Sequence, residues 1–221
     1  MTQPRIFFVG ASTVEGMGDE TRLGWPGRLL AIEGARLAET AAYNLGVRGQ
    51  TTVEISRRWQ DEVKTRMPVA GPTLVVQSAG INDTAYLDGD LRRVPLRKTL
   101  ALASAMAEAA RDFANLLWVG PFPIDESRMP YSAAGGRMMD FRNSRVEKLN
   151  RELAALAGDL SIPYVDLFSP LSAAADWPPV FSSADGLHPH GQGYQRIAEI
   201  ISSFQGWRNA LDRLLNEPAG N

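Results

Sequence analysis

Cysteine is absent from the 221-residue sequence, which excludes a disulfide framework, a thiol nucleophile and any thiolate-held metal. Histidine is scarce: His188 and His190 are the two in the chain, so any step that needs an imidazole must use one of them. No uninterrupted apolar run approaches the roughly 18 residues of a membrane span. Met1 to Arg5 lead into a strand-like segment without the apolar stretch and small-residue cleavage site of a signal peptide. The expectation is a soluble, cytoplasmic protein with no membrane insertion. Neither charge dominates, with 23 Lys and Arg against 25 Asp and Glu and a formal net charge of −2. That balance leaves no electrostatic footprint for nucleic acid or an anionic membrane surface. Internal repeats and low-complexity tracts are also absent.

What is present is ordinary globular composition, 44% hydrophobic and 22% charged, enough for a sizeable core. The length suits one domain over residues 1–215, with residues 216–221 reading as a flexible C-terminal tail. Short apolar, β-branched or aromatic runs at Arg5–Val9, Ala42–Leu45, Thr73–Gln77, Leu116–Val119 and Tyr164–Leu167 read as five buried strands. Between them lie apolar residues at steps of three and four: Ile55, Trp59, Val63 and Met67; the Ala-rich Leu96–Phe113; Val146, Leu149, Leu153 and Leu156. A last stripe runs through Tyr194, Ile197, Ile201 and Phe204. Alternating strands and helices predict an α/β fold, a three-layer α/β/α sandwich around a five-stranded, mainly parallel, doubly wound sheet. Ligands of such sheets bind beyond the carboxyl ends of the strands, so residues that follow strands are the ones to inspect.

After the first strand comes Gly10-Ala11-Ser12-Thr13-Val14-Glu15-Gly16. A serine there has its hydroxyl at the ligand-binding edge of the sheet, although the same residue also serves as a helix cap. The segment is not the G-x-S-x-G elbow, because Val14 stands at the second glycine, and it lacks the Gly-Lys-Ser/Thr ending of a phosphate-binding loop. A serine hydroxyl needs a base. Asp185-Gly186-Leu187-His188 places a carboxylate three residues ahead of an imidazole, so Asp185 can hold Nδ1–H and leave Nε2 of His188 free for Ser12. His190 has no acid at that spacing and reads as a rim residue. Asp185, His188 and His190 as metal ligands would need at least one more ligand. Two further segments follow strands and can donate hydrogen bonds to a developing oxyanion: Asn44 to Thr52, with Gly46 and Gly49, and Gly80-Ile81-Asn82-Asp83, with the Asn82 amide.

These four segments, in this order, resemble the four sequence blocks of the SGNH, or GDSL, hydrolase superfamily from Gly10 to Gly193. The resemblance implies a flavodoxin-like SGNH fold and a serine esterase working without a cofactor or metal. Ser12 would be the nucleophile, His188 the base and Asp185 its orienting acid, with an oxyanion hole from Ser12 N–H, Gly49 N–H and the Asn82 amide. Gly49 is matched rather than Gly46 because it precedes Gln50-Thr51-Thr52. One departure stands out: the family's Gly-Asp-Ser is Gly-Ala-Ser here, so Ala11 replaces an aspartate that supports the nucleophile loop; Asp83, beside Asn82, is a candidate for part of that support. The same residues would serve an acyltransferase, and an inert Ser12 would leave a binding module. A flavodoxin-like nucleotide-binding protein would leave Asp185 and His188 unexplained. Two long connections, Pro121–Gly136 and Ser169–Gly186, form the expected rim. They bring Pro121, Phe122, Pro123, Met129 and Tyr131 from one side and Trp177, Pro178, Pro179 and Phe181 from the other. Met129, Trp177 and Phe181 are the substrate-binding candidates, for a small ester with a short acyl chain. The same apolar rim would equally serve a homo-oligomer interface.

Overall fold

The computed structural model describes residues 3–67, 69–89, 91–133, 135–177, 180–181 and 185–216. Its main sheet contains β1 (Arg5–Gly10), β2 (Ala41–Gly46), β3 (Thr73–Ser78), β6 (Asn115–Val119) and β9 (Tyr164–Val165), in the order β2-β1-β3-β6-β9 and parallel throughout. The fold is α/β, with helices on both faces of this sheet. Alternation along the strands decides which helix covers which face. Ile6, Phe8, Leu74, Val76, Leu117 and Val119 point to the side covered by α2 (Gly24–Glu33), α7 (Gly191–Ser203) and α8 (Gln205–Asn216). The short α6 (Phe168–Ser172) adds Leu171 to the same core. Phe7, Val9 and Val75 point to the other side, where Ile55, Trp59 and Val63 of α3 (Thr52–Thr65) and Met106 and Ala110 of α4 (Leu96–Arg111) meet them. Further along that face, Trp118 packs with Leu149, Leu153 and Ala157 of α5 (Asn143–Asp159).

The four helices expected from apolar spacing correspond to α3, α4, α5 and α7. Helices α2 and α8 were not expected. A second, antiparallel sheet also emerges, formed by β4 (Tyr86–Leu87), β5 (Leu91–Arg92), β7 (Tyr131–Ser132) and β8 (Met138–Asp140) in the order β5-β4-β8-β7. It carries its own small core of Ile81, Ala85, Ile124, Met139, Phe141 and Leu187. Leu187 lies between Asp185 and His188, so this sheet braces the segment that carries both. Asn216 ends α8, and the rest of the expected tail lies outside the described residues. Among the described residues no helix is long and apolar enough to cross a membrane.

The strand order reverses between β1 and β3, since β1 is followed outward by β2 on one side and β3 on the other. In open parallel sheets a crevice forms at such a reversal, outside the carboxyl ends of the strands. Ser12 follows β1 there, and Gly80 to Asn82 follow β3.

Candidate active site

Ser12 opens a one-turn helix, α1 (Ser12–Glu15), two residues beyond the last residue of β1. Such a reversal is steep, and Gly10 permits it: a Cβ at this position would lie 2.3 Å from both Ser78 O and Val14 Cγ2. Ala11 and Ser12 are buried, and the Ala11 carbonyl accepts from the N–H groups of Val14 and Glu15. Asn44 Nδ2 donates to Val14 O at 2.8 Å, tying β2 to the same turn.

At the other end of the chain, Asp185 and His188 converge on this serine. Ser12 Oγ lies 2.8 Å from His188 Nε2, and His188 Nδ1 lies 2.6 Å from Asp185 Oδ2. Asp185 Oδ1 accepts from Leu187 N–H at 2.8 Å and His188 N–H at 2.9 Å. All three side chains are buried. Burial alone would push the Asp185 carboxyl up, but its hydrogen bonds from His188 and Leu187 and the histidine's charge outweigh that, and the carboxyl sits below its ordinary value. An ionised Asp185 can only accept, so Nδ1 must donate and Nε2 is left as the acceptor for the serine hydroxyl.

Two glycines let this segment close on its surroundings. Gly186 has φ +68, and a Cβ there would lie 2.5 Å from Asp125 O, while Asp125 N–H donates to Gly186 O at 2.9 Å. Gly18, at φ +92, brings the loop after α1 against His188; a Cβ there would lie 3.1 Å from His188 Cβ and 2.8 Å from Pro189 O. That loop is anchored in turn by Tyr194, whose hydroxyl donates to Met17 O at 2.7 Å. It is anchored again by Asp19, which accepts from Thr21, Gly24 and Arg28.

The two expected donor segments lie together. Asn82 occupies a buried 3₁₀ turn, Ile81–Thr84, entered through Gly80 at φ +104. Its Nδ2 donates to Gln50 O at 2.8 Å, so the asparagine holds the residue next to Gly49. Gly49 is exposed with φ +72, a left-handed conformation that glycine adopts without strain, and a Cβ there would meet nothing within 4 Å. Gly46 acts differently, because a Cβ there would lie 2.2 Å from Glu15 N; its bare backbone lets β2 end against α1.

Asp83 does not take the place of the missing aspartate. Its carboxylate accepts from Thr52 N–H at 2.8 Å and Thr99 Oγ1 at 2.7 Å, bracing α3 and α4 beneath the Asn82 turn. Burial raises its carboxyl above the ordinary value, only partly opposed by those bonds. The turn that carries Ser12 is held instead by Arg58 of α3, a residue without a sequence signal of its own. Its Nη2 donates to Gly10 O at 2.9 Å and its Nε to Gln50 Oε1 at 2.5 Å, so one guanidinium links the Ser12 and Gly49 segments.

The rim residues divide. Trp177 and Phe181 belong to the core and do not form an open rim: they are 2% and 5% exposed, pack edge-on to one another, and Trp177 also meets Phe122 edge-on. Trp177 Nε1 donates to Pro123 O at 2.7 Å, which pins the two long connections together. Pro178 and Pro179 lie outside the described residues. Met129 is half-buried against the small sheet beside Tyr131. The Tyr131 hydroxyl is pushed up to about 12 by burial and then by the negative charge of Asp185, which places it within the field of the buried carboxylate. His190 caps α7, its Nδ1 accepting from Gln192 N–H at 3.2 Å. Among the described residues no three His, Asp or Glu side chains converge as a metal site would require.

Comparison with known proteins bears on the whole of this arrangement. In structure, the chain is similar to a lipase/acylhydrolase from Enterococcus faecalis, with a TM-score of 0.73 at 22% identity over 95% of this chain and 96% of that one. It is similar to an acetyl-xylooligosaccharide esterase from Geobacillus, with a TM-score of 0.65 at 16% identity over 97% and 95%. A psychrotrophic esterase from Pseudoalteromonas matches with a TM-score of 0.64 at 16% identity over 97% and 100%. At such identities the likeness is one of fold. No curated protein matches in sequence closely enough to count as a relative. A family model matches residues 8–196, from within β1 to within α7, and the chain therefore belongs to the GDSL-like lipase/acylhydrolase family, hydrolases that act on esters.

Proposed function

We propose that the protein is a serine esterase that hydrolyses small carboxylic esters with short acyl chains through an acyl-enzyme intermediate. The observation that carries this reading is the continuous chain Ser12 Oγ–His188 Nε2–Asp185 Oδ2, with links of 2.8 and 2.6 Å. His188 takes the serine proton as Ser12 attacks the ester carbonyl, and Asp185 stabilises the imidazolium that forms. Ser12 N–H, Gly49 N–H and the Asn82 amide receive the oxyanion. The imidazolium then protonates the departing alcohol, and the neutral imidazole activates the water that releases the acid.

Little space opens next to the loop that carries the serine. Ala11 and Thr13, on either side of Ser12, line a narrow cavity of about 10 Å³ together with Gly80, Asn82, Pro121 and Phe122. That is about the space of one water molecule, and we read the tight surroundings as suiting a small acyl group. The test is hydrolysis of p-nitrophenyl esters from acetyl to palmitoyl, with products analysed in the presence and absence of an added alcohol. The expected result is a kcat/KM that is highest for acetyl or butyryl, with free acid as the product. Preference for palmitoyl would overturn the short-chain reading, and quantitative transfer to the alcohol would make the protein an acyltransferase.

A further inference from the structure

Arg93 follows β5 beside the Asn82 turn. Its N–H donates to Ala85 O at 3.0 Å and the next residue's N–H, that of Val94, donates to Asp83 O at 3.4 Å, so its backbone is stitched to the segment that carries Asn82. From that root the side chain reaches across to the other donor segment, where Nη2 donates to Gly49 O at 2.8 Å. The guanidinium is thus held over the gap between the two segments to which we assign oxyanion binding. The residue as a whole is half-buried while its bond to Gly49 O is exposed, and among the described residues no carboxylate lies within ion-pairing distance of the guanidinium. The charges around it are already committed. Glu54 closes the capping box with Thr51, and Asp83 is buried on Thr52 and Thr99. The field of Arg93 is felt at both these carboxyls and at the Tyr131 hydroxyl, which also feels Asp185. A permanently cationic group, with one of its five N–H donors bonded to protein among the described residues, therefore stands among the segments that carry Gly49, Asn82 and Tyr131.

We propose that Arg93 recognises a carboxylate on the alcohol portion of the ester substrate, making the preferred substrates short-acyl esters of anionic alcohols. This rests on the esterase reading above, in which Ser12 keeps the acyl group and the alcohol portion is the part released. Arginine suits this role because its planar fork pairs with both oxygens of a carboxylate. The net charge of −2 offers no general attraction for anions, so selectivity has to come from a local cation.

The probes are 4-acetoxybenzoate and its neutral analogue 4-acetoxybenzamide, with wild type, Arg93→Gln and Arg93→Lys. The ratio of kcat/KM between the two esters is read for each protein, which divides out any general loss caused by loosening the Gly49 loop. The expected result is a ratio that falls roughly tenfold in Arg93→Gln, through KM, and less in Arg93→Lys. The wild-type ratio also shrinks as salt rises. Equal losses on both esters through kcat would make Arg93 only a support for Gly49 and overturn the proposal. Calorimetric titration of the same two esters into Ser12→Ala protein, with and without Arg93→Gln, repeats the comparison without turnover. Tighter binding of the anionic ester that disappears with Arg93→Gln supports carboxylate recognition by Arg93 independently of turnover, so that a failed esterase reading is told apart, and equal binding of the two esters refutes it.

Discussion

Replacing Asp185 by asparagine separates the geometry of the site from its proton chemistry. The asparagine carbonyl can still accept from Leu187 and His188 N–H, the groups now 2.8 and 2.9 Å from Asp185 Oδ1. What is lost is the acceptor 2.6 Å from His188 Nδ1. An NH₂ in that place can only donate, so Nδ1 must present its lone pair and the ring proton moves to Nε2, the atom facing Ser12 Oγ at 2.8 Å. The serine is then left without an acceptor for its proton. A tautomer error of this kind costs ~10³–10⁴ in kcat, or about 4–5 kcal/mol of barrier. KM should change little, because no binding surface is altered. The Asp185 carboxyl is held below its ordinary value in the folded protein, so its charge stabilises the fold above the ordinary carboxylate range, and that contribution fades as pH falls toward the depressed value. Any Tm deficit of the variant should therefore narrow on acidification. The assay is steady-state hydrolysis of p-nitrophenyl acetate, with thermal unfolding of both proteins. A variant retaining more than about a tenth of wild-type kcat would refute the proposed role of Asp185.

Arg58→Met keeps most of the aliphatic stem and removes the donors to Gly10 O and Gln50 Oε1. It should lower kcat/KM roughly 10–100-fold, as loss of an outer support does, mainly in kcat; an unchanged kcat would show that Ala11 needs no substitute for the family's aspartate. Asp19→Asn addresses the loop that backs His188. The Asp19 carboxyl is lowered from 3.8 to about 2: burial opposes this, but hydrogen bonds from Arg28, Thr21 and Gly24 outweigh it. The depressed value makes its contribution fully present above the ordinary carboxylate range and lost as pH falls through about 2. Denaturant unfolding should show the variant about 2 kcal/mol less stable at neutral pH, with the gap closing in acid; a gap independent of pH would contradict the shift.

β1 and β3 were legible because they are buried on both faces and read as continuous apolar runs, whereas the edge strand β2 is only half-buried or exposed along most of its length, Leu45 apart, and was legible from its short apolar run alone. α3, α4, α5 and α7 were legible because each shows one apolar face at helical spacing. α8 carries the same signal in Trp207, Ala210, Leu211 and Leu214, and a closer count of steps would have found it. α2 was hidden by its opening Gly24-Trp25-Pro26-Gly27, which reads as a turn although proline is tolerated in a first helical turn. The strands of the small sheet have two or three residues each, too few for alternation to register. Ser12, Asp185, His188 and Asn82 stood out because their residue types and spacing carry chemistry. Trp177 and Phe181 did not reveal their burial, because an aromatic in a Pro-rich loop looks the same whether it faces solvent or meets Phe122 across the chain. Arg58 and Arg93 left no trace in the sequence: each acts through a backbone carbonyl brought to it only by the folded arrangement.

The central claim, that Ser12 is a nucleophile activated by His188, is tested most directly by mass spectrometry of the protein after reaction with a fluorophosphonate, alongside p-nitrophenyl acetate turnover. The account predicts one adduct on Ser12 and loss of both adduct and turnover in Ser12→Ala; an unlabelled Ser12, or turnover surviving in the variant, would contradict it.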